Sequence, residues 1–135
     1  MGRSRVRVVA GILQDAVGRI LIADRRRSRS LRDYWEFPGG KVDGHETAEA
    51  ALRRELAEEL GIEINLFRHF RHLEHDYPDL RVAIDFFLVP DWHGTPDGRE
   101  GQQIRWVDTA ELSSAMLLPA DAPVIAALQR TRERQ

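Results

Sequence analysis

Three carboxylates, Glu55, Glu58 and Glu59, crowd into one short stretch of the chain, inside GGKVDGHETAEAALRRELAEELGI (Gly39 to Ile62). On a helix turning about 100° per residue they share one narrow face, while Leu52, Leu56 and Leu60 form an apolar stripe. The centre of the acidic face lies only about a quarter turn from that stripe, whereas a purely solvated charged face would sit opposite it. The carboxylates therefore belong at the edge of the core, where desolvation and mutual repulsion both disfavour their charged forms. Something has to offset that cost. Arg53 and Arg54 could do so as ion pairs, which would make this a structural acidic helix. A hard divalent cation is the other solution, since carboxylate oxygens suit Mg²⁺, an ion that keeps positions open for water and substrate phosphates.

The wider spacing separates these two solutions. Gly40, Glu46, Arg54, Glu55, Glu58, Glu59 and Gly61 fit G-x5-E-x7-R-E-U-x-E-E-x-G-U, with Leu56 and Ile62 at the bulky apolar positions U. At roughly 7% usage per residue type, a chance match of the fixed positions at a given start is on the order of one in a hundred million. This is the signature of the Nudix hydrolases, and the chain resembles that family from about Val6 to Arg130. EFPGGK, the EGQ that precedes a Trp, and PADAPVIAAL near the end resemble its MutT-like subgroup, which cleanses nucleotide pools.

The resemblance implies an α+β fold, a mixed β-sheet sandwiched between α-helices, with the signature forming a loop–helix–loop. It implies a pyrophosphohydrolase that turns a nucleoside triphosphate into monophosphate and pyrophosphate using Mg²⁺, with Mn²⁺ as the alternative ion. Carried over residue by residue, Glu55, Glu58 and Glu59 hold metal with the Gly39 carbonyl, Arg54 orients the glutamates, and Glu46 braces the loop. Glu100, in the REGQ loop, matches a further metal-binding or water-activating carboxylate. The chemistry needs such a set: metals neutralise charge that develops on the phosphates and lower the pKa of attacking water, and a carboxylate accepts its proton. Glu55 is the expected base, with Glu100 as the alternative.

For the rest of the substrate, the resemblance implies contacts from Arg25, from Glu36, Phe37, Pro38 and Gly39 through backbone groups, and from Lys41, Tyr77 and Asp121. Arg25 could instead be a surface residue of a basic run. Tyr77 and Ile84 could sandwich a base, or be plain core, and the same choice applies to Trp35, Trp92 and Trp106. Asp121 stands where the oxidised-guanine enzymes usually carry Asn, and its other expected role is a helix N-cap. An ionised Asp only accepts hydrogen bonds, so it would repel guanine N7 and O6, accept from a cytosine amino group, and also accept from the N7–H that oxidation at C8 creates. Ser30 and Leu80 replace a pocket His and Arg of the subgroup, and PAD with VPDWHGT also resembles its CTP pyrophosphohydrolases. The main expectation is hydrolysis of 8-oxo-dGTP. The alternatives are a pyrimidine triphosphate pyrophosphohydrolase and a non-catalytic nucleotide-binding domain, the last disfavoured because every signature residue is kept.

Around these residues the chain reads as strands and two helices. Arg5–Gln14 and Ile20–Arg25 predict a hairpin, and EFPGGK (Glu36–Lys41) a loop, because Pro38-Gly39-Gly40 disfavours helix and strand interiors. Thr47 to Leu60 predicts a helix capped by Thr47 and Gly61. Leu66–Pro78 and Leu80–Pro90 predict an antiparallel pair around Pro78-Asp79, followed by a loop (Gly94–Gln102), a strand (Gln103–Val107) and a closing helix (Asp121–Arg132). Offsets of three should set His69, His72 and His75 on alternating faces, against a shared transition-metal site. With 135 residues, 42% hydrophobic and 31% charged, the chain is expected to be one soluble domain, 1–135. It has no cysteine, a net charge of −2 and no apolar run of membrane-spanning length. Disulfides are therefore excluded, and a cytoplasmic protein, monomer or weak homodimer, without nucleic-acid or membrane partners is expected.

Overall fold

The computed structural model describes residues 4–78 and 80–133, so Asp79 in the expected turn lies outside the described residues. Strands β1 (Ser4–Leu13), β2 (Arg19–Asp24), β3 (Trp35–Glu36) and β4 (Gly39–Lys41) precede helix α1 (Ala48–Leu60). Long strands β5 (Glu63–Tyr77) and β6 (Leu80–His93), strand β7 (Ile104–Asp108), two 3₁₀ turns and helix α2 (Ala122–Glu133) follow. One sheet runs β4-β1-β6-β5 and is mixed, because β1 pairs parallel with β6 and antiparallel with β4; the second runs β3-β2-β7. The fold is α+β, as expected.

Alternation along the central strands explains the layering. Ala10 and Ile12 of β1, Ile84, Phe86 and Leu88 of β6, and Ile20 and Ile22 of β2 bury with Val124, Ile125 and Leu128 of α2. Their sequence neighbours Val9, Leu13, Phe87, Val89 and Leu21 bury with Leu52, Leu56 and Leu60 of α1. Successive strand side chains point to opposite faces, so each strand feeds two cores and each core takes one helix. Thr47 Oγ1 accepts from Ala50 N at 3.1 Å, and Gly61 adopts φ 72° where the helix closes, so both ends of α1 stop where the sequence puts them.

Three expectations need correction. β1 and β2 do not form a hairpin: a Gln14–Ile20 bridge and the Asp15 N–Arg19 O hydrogen bond close the turn between them, but the strands themselves do not pair. β1 already has β4 and β6 on its two edges, while β2 takes β3 and β7. EFPGGK is not all loop either. β3 and β4 flank Pro38, whose carbonyl accepts from Gly11 N at 2.7 Å. Gly39 pairs with Ala10 at a position where a Cβ would strike the Val9 carbonyl. Finally, a register shift between His69 and Arg71 breaks the alternation of β5. His69 Nε2 and His72 Nδ1 thereby both reach Asp85 Oδ1, each at 2.9 Å.

Candidate active site

The glutamate face of α1 lies against the Pro38-Gly39-Gly40 turn. Glu59 is buried, and Gly39 N–H donates to its Oε2 at 3.0 Å. Glu55 lies over Gly40, where a Cβ would overlap its carboxylate. The two glycines thus offer bare backbone on which two carboxylates rest. Burial first, then the charge of Glu36, pushes the Glu59 carboxyl up to about 8, although the Gly39 N–H opposes the shift. Burial also raises Glu55, helped by Glu58 and Glu100 and opposed by Arg54. The sequence-based expectation of crowded carboxylates at a core margin holds for these two, whereas the Glu58 side chain is 54% exposed.

Arg54 organises the cluster. Its Nε and Nη2 clasp both Glu46 oxygens at 2.8 and 2.9 Å, Nη2 also donates to Lys41 O at 3.0 Å, and Nη1 reaches Glu55 at 3.0 Å and Glu58 at 3.3 Å. This bidentate pair is the strong form of an ion pair. Bonds from Arg54 and from the Asp43 N–H hold the Glu46 carboxyl down to about 2.

Glu100 reaches the cluster because its loop is stitched to the end of α1. Asp97 N donates to Leu60 O and Arg99 N to Glu59 O, both at 3.0 Å, satisfying carbonyls that a helix end leaves open. Gln102 Nε2 also donates to Glu59 O at 3.0 Å, while its Oε1 accepts from Glu100 N at 2.9 Å. The Glu100 charge is felt at both Glu55 and Glu59.

Among the described residues no three acidic or histidine side chains already converge as a ligand set. Arg54 draws Glu55 and Glu58 to itself, and Glu59 turns onto Gly39. The donor chemistry nonetheless fits a hard divalent cation: the groups are oxygen donors, and the raised Glu55 and Glu59 carboxyls record a crowding of negative charge that a cation would relieve.

A cleft leads away from the carboxylates. Its first lobe, about 280 Å³, is lined by Gly39, Gly40, Lys41, Phe37 and Glu36 and ends at Asp121. The second, about 520 Å³, includes Tyr77, Pro78, Ser30, Leu31 and Leu80. Val8, Arg25, Glu36, Ile84 and Leu118 border both lobes, so the two adjoin. Arg25 is not in solvent with its basic neighbours; it is ion-paired to Glu36 and also donates to Ser30 O at 3.2 Å, leaving a buried Nε without a partner. Burial raises Glu36, with Arg25 opposing. Asp121 ends a 3₁₀ turn, and among the described residues its carboxylate makes no capping hydrogen bond. The N-cap role expected for it is therefore not formed. Burial and then Glu36 push its carboxyl up to about 7, against the pull of Arg25. Glu36 is the electrostatic link, since its charge bears on Glu59 at one end of the cleft and on Asp121 at the other.

Pro38 is not among the cleft-lining residues; its carbonyl is bound to β1. Trp92 and Trp106 stack on each other at 6.0 Å beside the α1 core, and Trp35 lies under Arg105, so none of the three lines the cleft. Arg81, beside Leu80, is paired with Asp76 instead. Sequence reasoning overlooked Val8, Ala10, Phe86 and Leu118 as cleft walls, since apolar strand residues look like any core. It also overlooked Asp24, a buried carboxylate whose oxygens accept from Arg26 N and Gln103 N. The only signal for it was an acid closing the apolar run ILIAD.

A NUDIX domain model matches residues 4–128. The chain is 38% identical to the 8-oxo-dGTP diphosphatase of Haemophilus influenzae over 93% of its length and 92% of that protein's. It is 35% identical to the CTP pyrophosphohydrolase of Escherichia coli, covering 94% and 93%. A solved structure from a study of MutT from Aliivibrio salmonicida and Vibrio cholerae superposes with a TM-score of 0.80 at 39% identity, covering 93% of this chain and 97% of that one.

Proposed function

Because this chain belongs to the NUDIX domain family, we propose that it is a Mg²⁺-dependent pyrophosphohydrolase that converts 8-oxo-dGTP to its monophosphate and pyrophosphate. Mn²⁺ is the alternative ion. One observation carries this reading: the glycines against which Glu59 and Glu55 rest, Gly39 and Gly40, also line a cleft that takes in the buried Asp121. Phosphate chemistry and base recognition thus have separate ends of one groove.

Residues Glu55, Glu59 and Glu100 with the Gly39 carbonyl would hold the cation, and Glu58 would join them by leaving Arg54. Such a cation, when bound, would neutralise phosphate charge and acidify the attacking water. A water oxygen bonds to phosphorus, the anhydride P–O bond breaks, and pyrophosphate departs. Glu55 takes the water's proton as general base. Glu100 can serve in its place. Arg54 keeps Glu55 aimed, and Glu46 keeps Arg54 in place. Lys41 and Arg25 supply positive charge along the cleft.

At the far end, Asp121 near neutrality offers both protonation states. Neutral, it donates to guanine O6 and accepts from the N7–H of the oxidised base; ordinary guanine lacks that hydrogen. Tyr77 and Ile84, both in the second lobe, supply flat and apolar faces for stacking. Free nucleotides make the cytoplasm the matching location, and a single domain, monomer or weak homodimer, suffices for the site. The second reading, a pyrimidine triphosphate substrate, draws on the resemblance to the CTP enzyme and on an ionised Asp121 accepting from a cytosine amino group.

Parallel measurement of kcat/KM for 8-oxo-dGTP, dGTP, CTP and dCTP with Mg²⁺ tests both. The oxidised nucleotide should lead dGTP by at least about a hundredfold, the discrimination available when a buried polar group is left unpaired. Preference for CTP or dCTP would replace the first reading by the second, and no pyrophosphate release from any of them would remove both.

A further inference from the structure

Several cations surround the carboxylate cluster, and some are already engaged. Arg54 serves Glu46, Asp43, Glu55 and Glu58, Arg25 serves Glu36, and Arg53 donates to Ile64 O. Arg27 is not engaged, and shares this with Lys41 and Arg99: among the described residues none of these three side chains has an ion pair or a hydrogen bond. Arg27 is exposed, and it lies over Gly101, the residue that follows Glu100. A Cβ on Gly101 would stand 2.7 Å from Arg27 Nη1 and 3.1 Å from its Cζ, and Gly101 has φ 85°. Glycine suits the backbone conformation there, and its bare Cα leaves room for the guanidinium to lie against the loop.

The two loops that meet here are tied together. Asp24 N donates to Gln103 O at 3.0 Å, and Asp24 accepts from Gln103 N at 3.1 Å and Arg26 N at 3.3 Å. Arg32 Nε donates to Arg26 O at 2.7 Å, which closes the turn that presents Arg27. An unpaired, planar, multi-donor cation is thus held beside the Glu100 loop. A nucleotide with its base toward Asp121 and its reacting phosphorus at the glutamates would extend its remaining phosphates towards this loop.

We propose that Arg27 is a positioning residue that binds the distal phosphates of the triphosphate, the part that leaves as pyrophosphate. This rests on the pyrophosphohydrolase reading above. A guanidinium fork matches two phosphate oxygens, and a phosphate supplies the anionic partner that the protein does not.

The test compares the full-length protein with Arg27→Ala and Arg27→Lys. Calorimetry with Mg²⁺ present measures binding of inorganic pyrophosphate and, separately, of dGMP. Arg27→Ala should weaken pyrophosphate binding about tenfold, the worth of one charged contact, and leave dGMP binding within about twofold. KM for the triphosphate should rise by a similar factor with kcat little changed, and Arg27→Lys should restore part of the loss. Equal pyrophosphate affinity in Arg27→Ala and the parent would overturn the assignment. So would parallel loss of both ligands, which would mean that Arg27 merely shapes the loop. A parent protein that releases no pyrophosphate from any triphosphate would remove the proposed function, but a selective loss of pyrophosphate binding in Arg27→Ala would still support the phosphate role.

Discussion

Replacing Asp121 by Asn keeps the shape of the side chain and removes its titration. Asp121 is 4% exposed, and its carboxyl sits at about 7 in the folded chain against about 3.9 in an unfolded one. Below about pH 4 both states are protonated and the group costs the fold nothing. As pH rises from there to about 7, the unfolded chain has lost the proton and the folded chain keeps it, so stability falls by up to about 1.4 kcal/mol per pH unit. Above the folded pKa the penalty levels off near 4 kcal/mol, of which about 2–3 kcal/mol accrues between pH 5 and pH 8. Glu59 titrates in both proteins, and the altered titration of Glu36, which loses a neighbouring charge in the variant, counts with Asp121 in the difference between the two. Urea unfolding followed by tryptophan fluorescence at pH 5 and pH 8 should therefore find Asp121→Asn more stable than the parent, by about 2–3 kcal/mol more at the higher pH. An advantage that does not change between the two pH values would refute the burial argument, and with it the poised carboxyl at the base end of the cleft.

Glu55→Gln should lower kcat by more than about a hundredfold with little change in unfolding midpoint, the loss typical of a missing general base; a near-normal kcat would move that role to Glu100. Gly40→Ala should reduce kcat/KM at least about tenfold in a steady-state assay, because its methyl group would displace the Glu55 carboxylate. Mg²⁺ at about a hundred times its dissociation constant should stabilise the fold by about 2.7 kcal/mol, visible as a rise in Tm that chelation reverses. Glu59→Gln should lose most of that rise while being more stable than the parent in metal-free buffer at pH 9, since burial and neighbouring charge make the ionised Glu59 costly.

Helix α1 was legible in the sequence because its determinants are local. Thr47 and Gly61 mark its ends, Leu52, Leu56 and Leu60 mark its buried stripe, and the spacing of Glu55, Glu58 and Glu59 follows from the helical period. Even the marginal burial of Glu55 and Glu59 could be worked out from angles around one helix. The family signature lies in the same short window. The β1–β2 hairpin failed because a turn signal says that the chain reverses, not which edges remain free to pair. The histidines were misplaced because strict alternation assumes an unbroken strand, and β5 shifts register where no residue type announces it.

The cleft depends on separations that no local rule spans. Asp121 comes close enough to sense Glu36 and Arg25 only because α2 and its leading turn pack on the β2–β6 side of the core. Arg27 meets Gly101 only because Asp24 ties β2 to the start of β7. Sequence alone therefore determined the residue types, the helix and the class of chemistry, each set by periodicity and capping within a few turns of chain. Tertiary packing decided which carboxyls are desolvated, which arginines remain unpaired and where the base end lies, because burial and Coulomb interactions act through space between segments far apart in sequence.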